Sequence, residues 1–146
     1  MAALLDINVL LALAWPCHLH HQAAHQWFAA RRQGGWATCM HTQLGFIRLS
    51  MQPGVVAWPV SFVDATTVLA NSTSVPAHQF WPQNFGFSQI RPEIQARLIG
   101  HQQLADAALL ELAIRSSGTL ATFDRRIARL LPDDSPLQRT IELIPA

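Results

Sequence analysis

Short apolar runs recur along the chain, and each is followed by a longer segment in which apolar and polar residues mix. Such runs are too short for helices and indicate strands, and the runs at residues 2–5 and 119–122 are typical of strands buried in the core. The last run is expected at an edge of the sheet. We expect strands at residues 2–5, 36–39, 78–81, 119–122 and 140–144.

The segments between these runs have the apolar spacing of helices. Residues 104–115 show it best, because apolar residues follow Asp106 by three, four and seven positions. This spacing places Asp106 on the apolar stripe of a helix, whereas Glu111 and Arg115 are predicted to face solvent. Further helices are expected at residues 9–15, 18–32, 43–50 and 61–70, and from Pro92 onward.

The alternation of strands and helices predicts the fold class. Parallel strands need helical crossovers, so the pattern predicts a mostly parallel sheet covered on both faces, a three-layer α/β/α sandwich. The chain has 146 residues, of which 50% are hydrophobic. This length and composition suit a single domain that spans residues 1–146.

Two acidic residues follow predicted strands closely. Asp6 comes directly after the run at residues 2–5, and Asp124 comes just after the run at 119–122. The carboxyl ends of parallel strands are where α/β proteins bind ligands, so we expect both acids, together with Asp106, at one edge of the sheet. A carboxylate that faces a core needs a partner, which is either a bound cation or an arginine.

Two amide side chains lie close to these acids in the predicted fold. Asn8 either orients Asp6 or caps the helix that follows. Thr42 is expected to cap the next helix, in which Gln43 shares a face with apolar residues and therefore points inward. Gln43 is then either a hydrogen-bonded core amide or a carbonyl group near a metal or phosphate.

Arginine side chains are the candidates for contact with a nucleic acid. Arg48 is expected on another face of its helix, where it meets either an RNA phosphate or a local acid. Arg125, Arg126 and Arg129 open a short helix beside the candidate site. They either hold phosphate oxygens through paired hydrogen bonds or form a solvated helix face.

Histidines and aromatic residues have simpler explanations. His21 and His25 are four residues apart, as zinc ligands can be, but no third ligand has suitable spacing on that face, so an amphipathic helix at 18–32 is favoured. Phe85 and Phe87 lie in a predicted loop, where packing against the body is favoured over stacking on bases.

Two further acids have structural readings. Asp64 completes a capping box with Ser61, and Glu93 lies in the first turn of the helix that Pro92 opens.

Charge and cysteine content limit which cellular compartment and which binding partners are expected. Charged residues make up only 13% of the chain, all ten basic residues are arginine, and the formal net charge is +1. Contact with nucleic acid must therefore come from local arginines. Cys17 and Cys39 have no paired spacing, which suits a reducing cytoplasm. No apolar segment is long enough to span a bilayer, and the N-terminal run, interrupted by Asp6, lacks the basic leader of an export signal.

Three clustered carboxylates predict a particular chemistry. Their mutual repulsion raises the pKa of at least one acid until a cation neutralises them. Ligands that are all oxygen select Mg²⁺ or Mn²⁺. Such a site favours hydrolysis of a phosphodiester by metal-activated water, and no serine or cysteine with a neighbouring base offers an equally good nucleophile.

Four segments resemble one known family. The segments LLDINVLLAL, TQLGFIRL, LADAALLELA and TLATFD, in this order, resemble a PIN domain, specifically the VapC ribonuclease toxins of type II toxin–antitoxin systems. The histidine-rich segment HHQAAHQWF also resembles one branch of those toxins. Each segment alone is weakly specific, but their order and spacing together cover nearly the whole chain.

The resemblance implies an activity, partners and site residues. It implies an endoribonuclease that needs Mg²⁺ or Mn²⁺, usually forms a homodimer and is silenced by a cognate antitoxin. By the resemblance, Asp6, Asp106 and Asp124 match the metal-binding acids, and Thr122 matches a hydroxyl beside the last of them. The chain departs at Gln43, where many PIN domains have glutamate. We therefore expect one metal to bind firmly through Asp6 and Asp106, and a second only with RNA.

Two other functions remain as alternatives. A PIN-like body could have lost activity with the missing glutamate and bind RNA or protein without cleavage. A phosphatase with an aspartate nucleophile is disfavoured, because the segment Asp6-Ile7-Asn8 lacks a second aspartate and the chain has no lysine to hold phosphate.

Overall fold

The computed structural model describes residues 1–146, apart from the side chain of Arg32. The strands form one parallel sheet in the order β3-β2-β1-β4-β5. This arrangement confirms the predicted fold class, and every predicted strand is present, the last at an edge. The strands are β1 (Ala3–Leu5), β2 (Trp36–Thr38), β3 (His78–Phe80), β4 (Thr119–Thr122) and β5 (Ile141–Leu143).

Helices connect the strands, as the apolar spacing predicts. Short 3-10 helices precede the last α-helix, at His101–Gln103, and follow β4, at Arg125–Leu130. The α-helices are α1 (Ile7–Ala14), α2 (His21–Arg31), α3 (Met40–Met51), α4 (Phe62–Thr73), α5 (Pro92–Gln95) and α6 (Leu104–Arg115).

The central strand β1 separates two apolar layers. Leu4 belongs to the core cluster that includes Leu110 of α6. Leu5 belongs to the opposite cluster, which includes Val9 of α1 and Phe46 of α3. Because successive side chains of a strand point to opposite faces, burial on both faces explains why the strand sequence is continuously apolar.

Helix starts agree with the sequence in one case and differ in another. The capping box is confirmed, since the Asp64 amide donates to Ser61 Oγ and the Ser61 amide donates to Asp64 Oδ2, both at 3.0 Å. The prediction that Thr42 precedes its helix is wrong, because α3 already begins at Met40. Thr42 acts from within the first turn, where its hydroxyl oxygen accepts the Cys39 N–H at 3.0 Å.

The prediction that Glu111 faces solvent is also wrong. Its side chain is only 1% exposed and accepts hydrogen bonds from Arg91 and Arg115 at 2.8–3.0 Å. Burial by itself raises the pKa of Glu111, but the hydrogen bonds from Arg91 and then Arg115 outweigh it and lower the pKa to about 2. Helical periodicity could not show that the segment before α5 covers this face of α6.

The turn between α6 and β4 leads the chain into the sheet beside β1. Ser117 has a positive φ of 55°, as the end of the helix requires. A Cβ atom on Gly118 would lie 2.5 Å from the Ala2 carbonyl oxygen and 2.6 Å from the Trp81 ring. Only glycine therefore fits where β4 enters the sheet beside β1.

Two simpler predictions concern membranes and thiols. Among the described helices, none has both the length and the apolar character needed to span a membrane. Both cysteines are free thiols, Cys17 exposed and Cys39 buried.

Candidate active site

Asp6 lies at the junction of β1 and α1. It is 8% exposed and is the N-cap of α1, with Oδ1 accepting the Ile7 N–H at 2.7 Å. Its other oxygen, Oδ2, accepts the Thr122 hydroxyl at 2.7 Å. Burial raises the pKa of Asp6, the two hydrogen bonds oppose that rise, and the negative charge of Asp124 adds to it.

Thr122 links the ends of β1 and β4. While its hydroxyl donates to Asp6, the same oxygen accepts the backbone N–H of Asp124 at 3.0 Å and the Asn8 amide at 3.5 Å. Because Asp6 caps α1, Asn8 does not, and it contacts Asp6 only through Thr122. The Oδ1 atom of Asn8 is buried and has no hydrogen-bond partner among the described residues.

Asp106 lies in the first turn of α6 and is half-buried. Among the described residues, its carboxylate accepts no hydrogen bond. Burial raises its pKa to about 6, with further contributions from the negative charges of Asp6 and Asp124 and a smaller opposing effect of Arg126. Asp106 and Arg126 line a surface cavity of about 320 Å³.

Asp124 is engaged by an arginine. It caps the 3-10 helix Arg125–Leu130, and its two oxygens accept hydrogen bonds from Arg126 Nε at 3.0 Å and Nη2 at 2.8 Å. These bonds hold the pKa of Asp124 below its usual value. The Arg126 side chain is 75% exposed, so the pair is of the weak, solvent-screened kind.

The three acids therefore lie at the same edge of the sheet and influence one another's ionisation. Among the described residues, however, no group of three or more His, Cys, Asp or Glu side chains is close enough to hold one metal ion. Only Asp124 of the three is paired with a guanidinium. The role of Asp6, Asp106 and Asp124 as metal ligands stays a prediction.

The candidate site nevertheless has donors that fit a hard divalent cation. The carboxylates of Asp6 and Asp106 are oxygen ligands, and the pKa of Asp106 is raised by burial and then by the negative charges of Asp6 and Asp124. The unpartnered Asn8 Oδ1 is a third oxygen donor. Oxygen donors of this type suit Mg²⁺ or Mn²⁺.

Gln43 does not contact the three acids. It is half-buried, and its Nε2 atom donates to Thr38 Oγ1 at 3.0 Å, an oxygen that also bonds to His78 Nε2 at 2.8 Å. This contact favours the core-amide explanation of Gln43.

The candidate RNA-binding arginines are on the surface. Arg48, Arg125 and Arg129 are exposed, and none makes a salt bridge within the part of the chain that the structure describes. Arg48 therefore has no local acid as partner. Contact of these arginines with RNA stays a prediction.

The other sequence candidates have structural partners. His21 and His25 bond to the Ala12 and Leu13 carbonyl oxygens at the end of α1, at 2.7 and 2.9 Å. Phe85 packs on the core with the Arg115 guanidinium 4.7 Å from its ring centre, whereas Phe87 is 61% exposed.

Sequence reasoning missed His41. Its Nε2 atom is buried without a hydrogen-bond partner among the described residues, and its charge lowers the pKa of Asp6. The available signal was its position, because His41 follows β2 at the same edge of the sheet where Asp6 follows β1.

The parallel five-stranded sheet, covered on both faces and carrying acids at its carboxyl edge, defines a PIN-like three-layer α/β/α domain. Comparison with models of known protein families gives no match. Comparison with individual proteins does find relatives, all of them ribonucleases by name.

The chain is 38% identical over 128 residues to Ribonuclease VapC39 of Mycobacterium tuberculosis, and the aligned region covers 88% of this chain and 92% of that protein. It is 39% identical over 128 residues to Ribonuclease VapC38 of the same organism, with 88% and 89% covered. Ribonuclease VapC29 is 37% identical over 133 residues, with 91% and 93% covered. The chain belongs to the VapC ribonuclease family.

Proposed function

We propose that this chain is a divalent-cation-dependent endoribonuclease and the toxin of a type II toxin–antitoxin pair. The observation that carries the proposal is that Asp6, Asp106 and Asp124 lie at one edge of the sheet, where burial and then the charges of the other two acids raise the pKa of Asp106 to about 6. Family membership supports ribonuclease activity, and the oxygen donors support a requirement for Mg²⁺ or Mn²⁺.

In this proposal, Asp6 and Asp106 hold the cation, with Asp124 at the side of the site. The bound cation supplies Lewis acidity and lowers the pKa of water at the scissile phosphate. Thr122 keeps the Asp6 carboxylate in one orientation by donating to Oδ2, and the hydroxyl oxygen of Thr122 accepts the backbone N–H of Asp124. Asp6 follows β1, Asp124 follows β4 and Asp106 lies in α6, so each carboxylate is positioned by a packed element.

Arg126 has a second role in the proposal. It pairs with Asp124 in the free protein and is largely exposed. Because such a pair is weak, Arg126 can exchange Asp124 for an RNA phosphate, which offers the same bidentate geometry. Arg125 and Arg48 supply further positive charge on the exposed surface.

The partners follow from the same proposal. The substrate is RNA, and a cognate antitoxin protein silences the activity in the cytoplasm. We further propose that the chain functions as a homodimer.

The proposal predicts that Asp106→Asn abolishes RNA cleavage and leaves the fold intact. The substitution keeps the size of the side chain but removes one of the two charges assigned to the cation. Cleavage is measured on end-labelled cellular RNA in Mg²⁺ or Mn²⁺, with EDTA as the metal-free control, and the fold by circular dichroism. Asp133→Asn is the matched control, because Asp133 is exposed. Full cleavage by Asp106→Asn would remove Asp106 from the mechanism.

The same cleavage assay distinguishes an enzyme from the alternative, a non-catalytic binding module. Two observations favour that alternative, the commitment of Gln43 to Thr38 and the pairing of Asp124 with Arg126. Metal-dependent cleavage by the pure protein, absent in Asp6→Ala, is expected if the chain is an enzyme. Binding of RNA with no cleavage in either metal would instead support the module.

A further inference from the structure

The surface cavity of about 320 Å³ beside Asp106 is larger than a bound cation needs. Cavities that hold small organic molecules have volumes of about 300–1,000 Å³, so this one suits a single nucleotide. It lies where the loop before α6 meets the 3-10 helix that follows β4. Its lining residues are Gln102, Gln103, Asp106, Arg126, Arg129 and Leu130.

Two arginines bring positive charge to this cavity. The charge of Arg126 opposes the rise in the pKa of Asp106, and the charge of Arg129 helps to lower the pKa of Asp124. Both guanidinium groups therefore lie near the acids of the site. Arg129 is exposed and forms no salt bridge with a described residue. A guanidinium in this state can hold a phosphate of an RNA strand.

Gln102 lines the same cavity with an amide that has no partner. It belongs to the 3-10 helix His101–Gln103, which runs directly into α6, and it comes four residues before Asp106. Residues four apart in a helical segment share a side, which agrees with the presence of both side chains at the cavity. The Gln102 side chain is exposed and makes no hydrogen bond to a described residue.

The neighbouring Gln103 has a structural role instead. Its Oε1 atom accepts the Ile99 N–H at 2.7 Å and the Gly100 N–H at 3.3 Å. These bonds hold the turn that carries Gln102. The Gln102 amide is thus placed on an ordered segment beside Asp106, with both its donor and its acceptor available to a ligand.

We propose that this cavity binds one base of the RNA substrate and that Gln102 determines which base is accepted. The inference rests on the proposed function, because it concerns the substrate of that site. Single-stranded RNA is recognised through hydrogen bonds to the edges of unstacked bases. A glutamine amide offers a donor and an acceptor side by side, which match adenine through two hydrogen bonds. We therefore expect adenine in the cavity, with Arg129 on a neighbouring phosphate.

Binding of two short single-stranded RNAs by the full chain tests the inference without any need for cleavage. One RNA is oligouridine, and the other has the same length with one central adenosine. Fluorescence anisotropy in EDTA measures the affinity for each. Gln102→Met keeps the length of the side chain and removes the amide. Gln26→Met is the matched control, because Gln26 is exposed on α2 and does not line the cavity.

We expect the wild type and Gln26→Met to bind the RNA with adenosine about five- to tenfold more tightly than oligouridine. Gln102→Met is expected to bind both RNAs equally. Arg129→Gln is expected to weaken binding of both RNAs by a similar factor, because a phosphate contact carries no information about the base.

The outcomes separate this inference from the proposed function. Equal binding of the two RNAs by the wild type, no binding of either, or a preference that persists in Gln102→Met overturns the role of Gln102. Cleavage of the same RNAs in Mn²⁺ tests the proposed function independently, because the affinities are measured without metal. A preference that Gln102→Met abolishes, in a chain that cleaves neither RNA, supports the base subsite and overturns the nuclease. If Gln102→Met does not fold, Gln102→Ala decides the same question.

Discussion

Thr122 shows how one hydroxyl can connect two acids at the edge of a sheet. It donates to Asp6 Oδ2 at 2.7 Å and accepts the Asp124 N–H at 3.0 Å, so it joins two acids from different strands. Both interactions are shielded from solvent, because Thr122 is fully buried. The orientation of the Asp6 carboxylate therefore depends on a residue that is 116 positions away in the sequence.

Thr122→Val keeps the shape of the side chain and removes this hydroxyl. We expect a loss of stability of about 1–3 kcal/mol, because a buried carboxylate oxygen and a backbone N–H lose their partner. Loss of the hydrogen bond also raises the pKa of Asp6 further. Cleavage is expected to fall about 10- to 100-fold, as for other residues that orient metal ligands.

Urea unfolding and RNA cleavage at saturating metal measure the two effects. Thr140→Val is the matched control, because Thr140 is buried and its hydroxyl makes no hydrogen bond to a described residue. Wild-type cleavage by Thr122→Val would show that the hydroxyl does not position Asp6.

At the scale of elements, the placement of α6 depends on an ionic network far from the acids. Glu111, in the middle of α6, accepts the Arg91 N–H at 2.8 Å and bonds to the Arg91 and Arg115 guanidinium groups. Arg115 also donates to the Gln89 carbonyl at 2.8 Å. The network fixes the segment before α5 against the helix that carries Asp106.

Glu111→Gln is expected to lower the free energy of unfolding by about 3 kcal/mol, the low end for a broken buried pair, because both arginines are partly exposed. Glu93→Gln, on an exposed position of α5, is the control. Unfolding in urea, followed by tryptophan fluorescence, measures the difference at pH 7.

The contribution of Glu111 also has a defined pH window. Its pKa in the folded chain is about 2, below the usual 4.5, so the unfolded chain binds the proton first as the pH falls. The stabilisation is complete above pH 4.5 and is lost as the pH falls toward 2. A difference between wild type and Glu111→Gln that is unchanged down to pH 2 would contradict this account.

At the scale of the whole molecule, the acids with a raised pKa, Asp6 and Asp106, reduce the stability of the fold when they are ionised. Burial and like charge raise the pKa of Asp106 to about 6, from the usual 3.8. Since the folded chain then holds this proton more tightly than the unfolded chain, stability falls as the pH rises through this interval. Above pH 6 the full destabilisation is present.

Asp106→Asn is therefore expected to be more stable than the wild type at pH 7.5 in EDTA, although the proposed function predicts that it does not cleave RNA. We expect about 1 kcal/mol after allowance for solvent screening at a half-buried position. The difference should vanish near pH 4, where Asp106 is protonated, and Mn²⁺ should stabilise the wild type only. Calorimetric melting at both pH values provides the test. Equal melting temperatures of the two proteins at pH 7.5 would show that ionised Asp106 does not destabilise the fold.

The local spacing of apolar residues was sufficient to predict the fold class and the order of the strands and helices. The existence and order of the strands and helices follow from apolar periodicity. The positions of Asp6 and Asp124 after strands placed both acids at one edge of a parallel sheet. These features depend on neighbours within one or two turns of chain, which the sequence shows directly.

Contacts between distant segments could not be read in the same way. The burial of Glu111 requires Arg91, twenty positions earlier, and the direction of Gln43 depends on Thr38 at the end of β2. The unpartnered nitrogen of His41 likewise emerges only from the packed chain.

The sequence by itself thus determined the order of strands and helices and the edge at which the acids collect, because periodicity and strand ends are local properties. Only the tertiary structure decided which acids are paired, which acids have a raised pKa and which polar atoms have no hydrogen-bond partner. Those properties depend on distances between side chains that approach one another only when the sheet and its two helical layers are assembled.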